Sequence, residues 1–306
     1  MQGAYPNNMT QNAIITEKKG IYRLTQPPAA MQIPLIFDSP HSGRCYPADF
    51  QTRINHDDLI CGEDRFVDQL FQTASLHGAS LLCAEFPRCY IDANRHYHDI
   101  SPSFVQGGWQ GPFALAPSNK STAGIGLIRE LFINGRNLYD MPLSSQVILG
   151  RIEHYYTPYH KALQAEIERL HAHFGFVVHI DCHSMPHDAA PFTRQPAQHS
   201  PTIQHRAHII IGDRDGATCG AQWRIKVGSL FEDKGFSVVY NQTFKGAEIV
   251  RKYGHPHKQQ HSIQLEINRG LYLDTKGRHK SNGFVELAHN IDAIIQTLAA
   301  DILSMV

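Results

Sequence analysis

Two histidines and two acids in this chain stand where apolar runs end, the places at which a buried strand hands its last side chains to a ligand. The run LIFDSPHSGR brings His41 just past one apolar stretch, VVHIDCHS carries Asp181 and His183 at the end of another, and SIQLEINR carries Glu266 and Arg269. Between the first two lies GEDRFVDQL, with Glu63 and Asp64 at the mouth of a helical pattern, and YIDANR adds Asp92, Asn94 and Arg95. A catalytic zinc ion needs three N, O or S ligands and one open position for water. His41, Asp64 (with Glu63 as the reserve) and His183 would supply such a set from three separate junctions. Asp181 shares a face with His183 and could orient its ring from behind. Glu266 points away from Ile263, Leu265 and Ile267. It is either an acid on a solvated face, paired with Arg269 or Lys258, or a general base beside an activated water.

Other chemistries fit less well. His179 and His183 are four apart, the spacing of a helical zinc protease, but the run around them reads as a strand. At ~3.3 Å per residue their rings would lie about 13 Å apart, too far for one ion, and no HExxH is present. His179 is therefore expected as a buried, hydrogen-bonded strand histidine. Cys182 and His183, adjacent on a strand, point to opposite faces and form no dyad. There is no GxSxG elbow and no glycine-rich phosphate loop. GDRDG at 212–216 lacks the later ligands of a calcium loop and reads as a turn before a helix.

These residues need a frame to hold them, and the alternation of patterns supplies one. Strands are expected at IPLIF (33–37), ASLLCAEF (79–86), around Tyr90–Ile91, at FVVHID (176–181), AHIIIG (207–212), FSVVY (236–240) and SIQLEI (262–267). Helical spacing runs through 64–77, through 142–174 with Pro158 interrupting or kinking it, near 218–234, and through a final helix with Leu287, Ile291, Ile294, Ile295, Leu298 and Ile302 on one side. The fold expected is α/β: one domain over 33–306 with a mixed, mainly parallel sheet and helices on both faces, preceded by a polar extension over 1–32 that packs late or only partly. In such sheets ligands sit at the carboxyl ends of strands. The unpatterned stretch 101–126 reads as a long loop, either a cover for that site or a surface excursion.

Composition narrows the partners. Lys and Arg number 28, equal to Asp and Glu, so bulk charge selects neither nucleic acid nor an anionic membrane. No apolar run reaches the ~20 residues of a membrane span, and the N-terminus shows no signal pattern. The six cysteines form no CxxC pair and four lie in or beside apolar segments, so reduced thiols in a cytoplasmic protein are expected. Histidine is the outlier, at 20 copies.

In order along the chain stand PHSG (40–43), DxxVD (64–68), DxNR (92–95), PYH (158–160), DxHS (181–184), DGxxC (215–219), NxxFKG (241–246), YGxP (253–256) and HxxQxExxRxxY (261–272). This ordered series resembles the N-formylglutamate amidohydrolase family over about 33–290. The resemblance implies a fold similar to the zinc carboxypeptidases and aspartoacylases, with one zinc ion per chain. The implied reaction is hydrolysis of N-formyl-L-glutamate to glutamate and formate, the last step of one histidine-degradation route. By similarity His41 and His183 match metal-ligand positions, an acid after the first strand completes the set and is placed at Asp64 with Glu63 in reserve, and Glu266 takes the place of the catalytic glutamate. Asn94 and Arg95 look like the pair that grips a substrate carboxylate, with Asn94, Lys245 and Arg269 as candidates for the other carboxylate. The chain departs from the family pattern at Ala247, where FKGG becomes FKGA, and at Arg65, which replaces an aromatic. Both bear on substrate choice, and the rival readings are a zinc amidohydrolase for another N-acyl amino acid or short peptide, or a non-catalytic metal-binding protein.

Overall fold

The computed structural model describes residues 13–189, 192–193 and 205–306. Its frame is an eight-stranded sheet built in chain order from β1 (Ile14–Lys18), β2 (Tyr22–Gln26), β3 (Leu35–Ser39), β4 (Ser80–Ala84), β5 (Val177–Met185), β6 (Ile209–Gly212), β7 (Val238–Tyr240) and β8 (Gln260–Asn268). The strands lie side by side in the order β1-β2-β4-β3-β5-β8-β6-β7. The central four, β4, β3, β5 and β8, are mutually parallel. The pair β6 and β7 runs against β8, β2 runs against β4 and β1 runs against β2, so the sheet is mixed around a parallel centre.

Alternation along each strand sends side chains to opposite faces. Leu35 and Phe37, Val178, Ile180 and Cys182, and Ile263, Leu265 and Ile267 meet one layer of helices: α1 (Val67–Leu70), α4 (Ala221–Glu232) and α6 (Gly283–Leu303). On the other face Ile36, Leu82 and Val177 pack under α2 (Ser145–Arg151), α3 (Thr157–Phe174) and α5 (Glu248–Tyr253). A central parallel strand covered on both faces is usually apolar on both. Here the second face carries Asp38, His179, Asp181, His183, Ser262, Gln264 and Glu266, all buried. That polar row lies under the helices because each member finds a partner within it. His179, expected as a structural strand histidine, sits between Asp38 Oδ1 and Ser262 Oγ, each 2.8 Å away.

Several local expectations change. Part of the expected extension forms strands of the main sheet: the turn at Gly20 folds β1 onto β2, whose Leu24 is buried against the second core, while β1 itself is exposed. Residues 1–12 of that expected extension lie outside the described residues. Tyr90–Ile91 is a buried turn and not a strand. Its backbone bonds are local or cross to another loop, Tyr90 N to Pro87 O and Asp92 N to Leu127 O, while its apolar side chains fill the core. The pattern at 64–77 buries Val67, Leu70, Phe71 and Ala74 as expected, but as a short α-helix followed by a 3₁₀ turn at Ala74–His77. Pro158 lies in the first turn of α3, and a π-helical turn at Ile152–Tyr156 joins α2 to it without a break in the helical path. The 101–126 stretch is partly ordered by short helices at Pro102–Phe104 and Asn119–Thr122, with Trp109, Phe113 and Leu115 against the second core. Among the described residues no helix is long and apolar enough to cross a membrane, and all six cysteines are free.

Candidate metal centre and active site

The turn after β3 is fixed on both sides. Asp64 N donates to His41 O at 3.0 Å, Ser42 Oγ donates to Asp64 O at 3.0 Å, and Asp68 N donates back to Ser42 Oγ at 3.2 Å. Gly43 lies against the next loop so closely that a Cβ there would sit 2.1 Å from Phe86 O, which no larger residue tolerates. His41 and Asp64 are thus set beside each other by backbone, and β5 brings His183 to them.

The three side chains converge. Asp64 Oδ2 lies 3.0 Å from His183 Nδ1 and 3.5 Å from His41 Nδ1, and the two imidazole centroids are 4.7 Å apart. Their candidate ligand atoms all lie within 4.8 Å of one another, in a fully buried group. Each ring is backed by a second carboxylate: His41 Nε2 is 2.7 Å from Asp92 Oδ1, and His183 Nε2 is 2.8 Å from Asp181 Oδ1. The latter is a close approach rather than an aligned hydrogen bond, since Asp181 Oδ1 has no hydrogen-bond partner in the described structure and His183 Nε2 instead pairs with Asn94 Nδ2 at 2.8 Å. Asp64 turns its other oxygen to Arg269 Nη2 at 2.8 Å.

His41 Nδ1 is buried, faces the group and has no hydrogen-bond partner among the described residues. An orphaned buried ring nitrogen is costly unless something satisfies it. Two imidazole nitrogens and a carboxylate oxygen, each oriented from behind, fit a zinc ion with an open position. Burial alone would raise the Asp64 carboxyl. Contacts with His183 and His41 and the guanidinium charges of Arg88 and Arg269 instead hold it well below the usual range, so it stands ionised as a ligand must. Glu63 faces elsewhere: its Oε1 accepts from Tyr46 OH at 2.6 Å and its Oε2 from Arg65 Nη1 at 3.2 Å. Burial raises it to about 7.

Glu266 is buried on β8, in register with His183 on the neighbouring strand and on the same face. Gln264 Nε2 donates to its Oε1 at 2.8 Å. The solvated alternative does not hold, because Arg269 reaches Asp64 instead. Burial is the main cause that lifts the Glu266 carboxyl to about 7, with the Asp64 charge adding to it against the pull of His183.

The substrate-binding candidates divide. Arg95 is half-buried and, among the described residues, donates only to backbone, to Ile125 O at 3.2 Å and Asn94 O at 2.9 Å. Asn94 is buried and committed: its Nδ2 donates to Asp181 Oδ2 at 3.1 Å and its Oδ1 accepts from Ile249 N at 2.8 Å. Arg269 is likewise committed, to Asp64, Ser184 Oγ and Cys61 O. Lys245 is exposed and paired with Asp215 at 2.8 Å, so the fold does not bring it to the cluster. Two residues escaped the sequence reading. Arg88 Nη2 donates to Asp92 Oδ2 at 2.9 Å, and Arg129 Nη2 lies 3.6 Å from the same oxygen. Asking what balances a buried Asp92 could have pointed to Arg88, four residues earlier; nothing local marks Arg129.

Comparison with known proteins agrees with the series of motifs. The family model for N-formylglutamate amidohydrolase matches residues 33–273. A solved N-formylglutamate amidohydrolase from Ralstonia eutropha JMP134 superimposes with a TM-score of 0.85 at 36% identity, over 94% of this chain and 100% of that one. The N-formylglutamate deformylase of Pseudomonas aeruginosa is 27% identical over 89% of this chain and 94% of its own length. That of Pseudomonas putida is 28% identical over 79% and 83%. The chain belongs to the N-formylglutamate amidohydrolase family, whose members hydrolyse an amide bond.

Proposed function

We propose that this chain hydrolyses N-formyl-L-glutamate to L-glutamate and formate, with one zinc ion held by His41, Asp64 and His183. The observation that carries the reading is the buried pair of carboxylate-backed imidazoles with Asp64 between them and Glu266 in register on the adjoining strand. Zinc bound there would supply a Lewis acid for the formyl oxygen and acidify a water. The protein's own part is proton handling and orientation. Gln264 engages Glu266 Oε1, leaving Oε2 to take a proton from the attacking water. Burial raises that carboxyl, which favours holding the proton until it is returned to the departing amine. Arg95 offers a planar fork to a substrate carboxylate. On the family resemblance we place the reaction in the cytoplasm, at the end of a histidine-degradation route.

The reading is tested by assaying formate and free amine from N-formyl-L-glutamate beside N-acetyl-L-glutamate, N-formyl-L-methionine and a short formylated peptide. Fastest turnover of N-formyl-L-glutamate is expected. A clear preference for another acyl group or for the peptide would reject the substrate while keeping the reaction class.

A further inference from the structure

Three guanidinium groups, those of Arg88, Arg95 and Arg129, gather around Asp92, and of the three only Arg88 also has Asp64 within reach among the described residues. Arg88 and Arg129, whose side chains are 18% and 17% exposed, both reach Asp92 Oδ2. The other oxygen of Asp92 is taken by His41 Nε2 at 2.7 Å. Arg95 nearby has only neutral carbonyl partners among the described residues, at Ile125 and Asn94. The Nε atoms of Arg88 and Arg129 are buried and have no hydrogen-bond partner among the described residues. Arg88 has a second acid within reach, Asp64 Oδ1 at 3.9 Å. Arg129 has no second acid among the described residues, and burial together with the neighbouring Arg88 charge draws its pKa down to about 10. A buried charge that must share its one carboxylate with a second guanidinium is only partly compensated, and an arriving anion would relieve that cost.

One turn positions two of these groups. Ile125 bridges to Arg129, and its carbonyl also receives Arg95 Nε. That turn is fastened to the site by Leu127 N to Asp99 O at 2.8 Å and Asp92 N to Leu127 O at 2.9 Å. At Gly126 a Cβ would lie 2.6 Å from Asp99 O, so the approach is as close as backbone allows.

We propose that Arg129 is a specificity residue that receives the second carboxylate of a dicarboxylic N-acyl amino acid, leaving Arg95 for the first. This rests on the hydrolase reading above and replaces Lys245 and Arg269, which the fold commits elsewhere. A charge-assisted, two-pronged contact discriminates against a substrate that lacks the anion by leaving the guanidinium unpaired.

The test compares kcat/KM for N-formyl-L-glutamate with that for N-formyl-L-glutamine, which has the same length and one carboxylate fewer, in wild type, Arg129→Gln and Arg129→Lys. The ratio should fall about 10- to 100-fold in Arg129→Gln at unchanged zinc content, and by less in Arg129→Lys, which keeps the charge without the fork. A ratio equal to wild type, or a proportional loss on both substrates, overturns the proposal. Should Arg129→Gln not fold, Arg129→Lys reads the same ratio. If wild type releases formate from neither compound, the hydrolase reading fails by itself, and calorimetry with glutarate and butyrate reads the anion seat directly. A preference for glutarate that Arg129→Gln abolishes then supports the assignment, and equal affinity for the two acids overturns it.

Discussion

His160 should make the protein acid-sensitive in a calculable way. It lies buried on α3, where Nε2 donates to Ala93 O at 2.9 Å and Nδ1 is 2.9 Å from Tyr253 OH. It thereby clamps the turn that carries Asp92, Asn94 and Arg95. Burial, reinforced by the Lys252 charge, lowers its pKa from 6.5 to about 3. The unfolded chain therefore binds a proton at this residue below about pH 6.5 that the folded chain refuses until about pH 3. Its contribution to stability is complete above 6.5 and is lost as pH falls through that window. At ~1.4 kcal/mol per pH unit, the loss is about 2 kcal/mol by pH 5 and about 3 kcal/mol by pH 4, relative to pH 8. Urea denaturation of metal-free wild type and His160→Gln at pH 8, 5 and 4 isolates the term. Glutamine keeps a donor for Ala93 O but carries no titrating group. The variant should lose stability less steeply with acid by these amounts. Identical slopes for the two proteins between pH 8 and pH 5 would refute the reasoning.

The site yields two further expectations. Glu266→Gln should retain zinc, since no ligand atom is altered, yet lose at least ~100-fold in kcat, the scale of a missing general base; near-normal turnover would remove Glu266 from proton transfer. Asp92→Asn withdraws the carboxylate behind His41 while keeping its shape, and a competition titration with a chromophoric chelator should show zinc affinity lower by about 10- to 100-fold. Unchanged affinity would mean that the 2.7 Å contact does not tune the ring.

What the sequence could reveal followed the periodicities and the motif order. Apolar positions at i, i+3, i+4 and i+7 placed the buried face of α6, and the runs around His41, His183 and Glu266 placed those residues at strand ends. The period-2 rule also sent Cys182 into the apolar core, opposite His183. Choices between neighbours were not legible. Glu63 and Asp64 differ only in which way the turn throws each side chain, and that depends on the His41 carbonyl 23 positions away in sequence. Tyr90–Ile91 looked like a strand because apolarity reports burial and not backbone shape. The pairing of His41 with Asp92, and of Asp92 with Arg88 and Arg129, belongs to loops that meet only in the folded chain. Lys245 matched a motif, but its side chain is drawn outward to Asp215.

The central claim is that the His41, Asp64 and His183 cluster holds the ion on which hydrolysis of N-formyl-L-glutamate depends. Formate release should be followed while zinc is titrated into the metal-free protein. The expected result is negligible release without metal, rising in proportion to added zinc and levelling at one ion per chain. Release that is already maximal without metal, or none at full zinc occupancy, would contradict it.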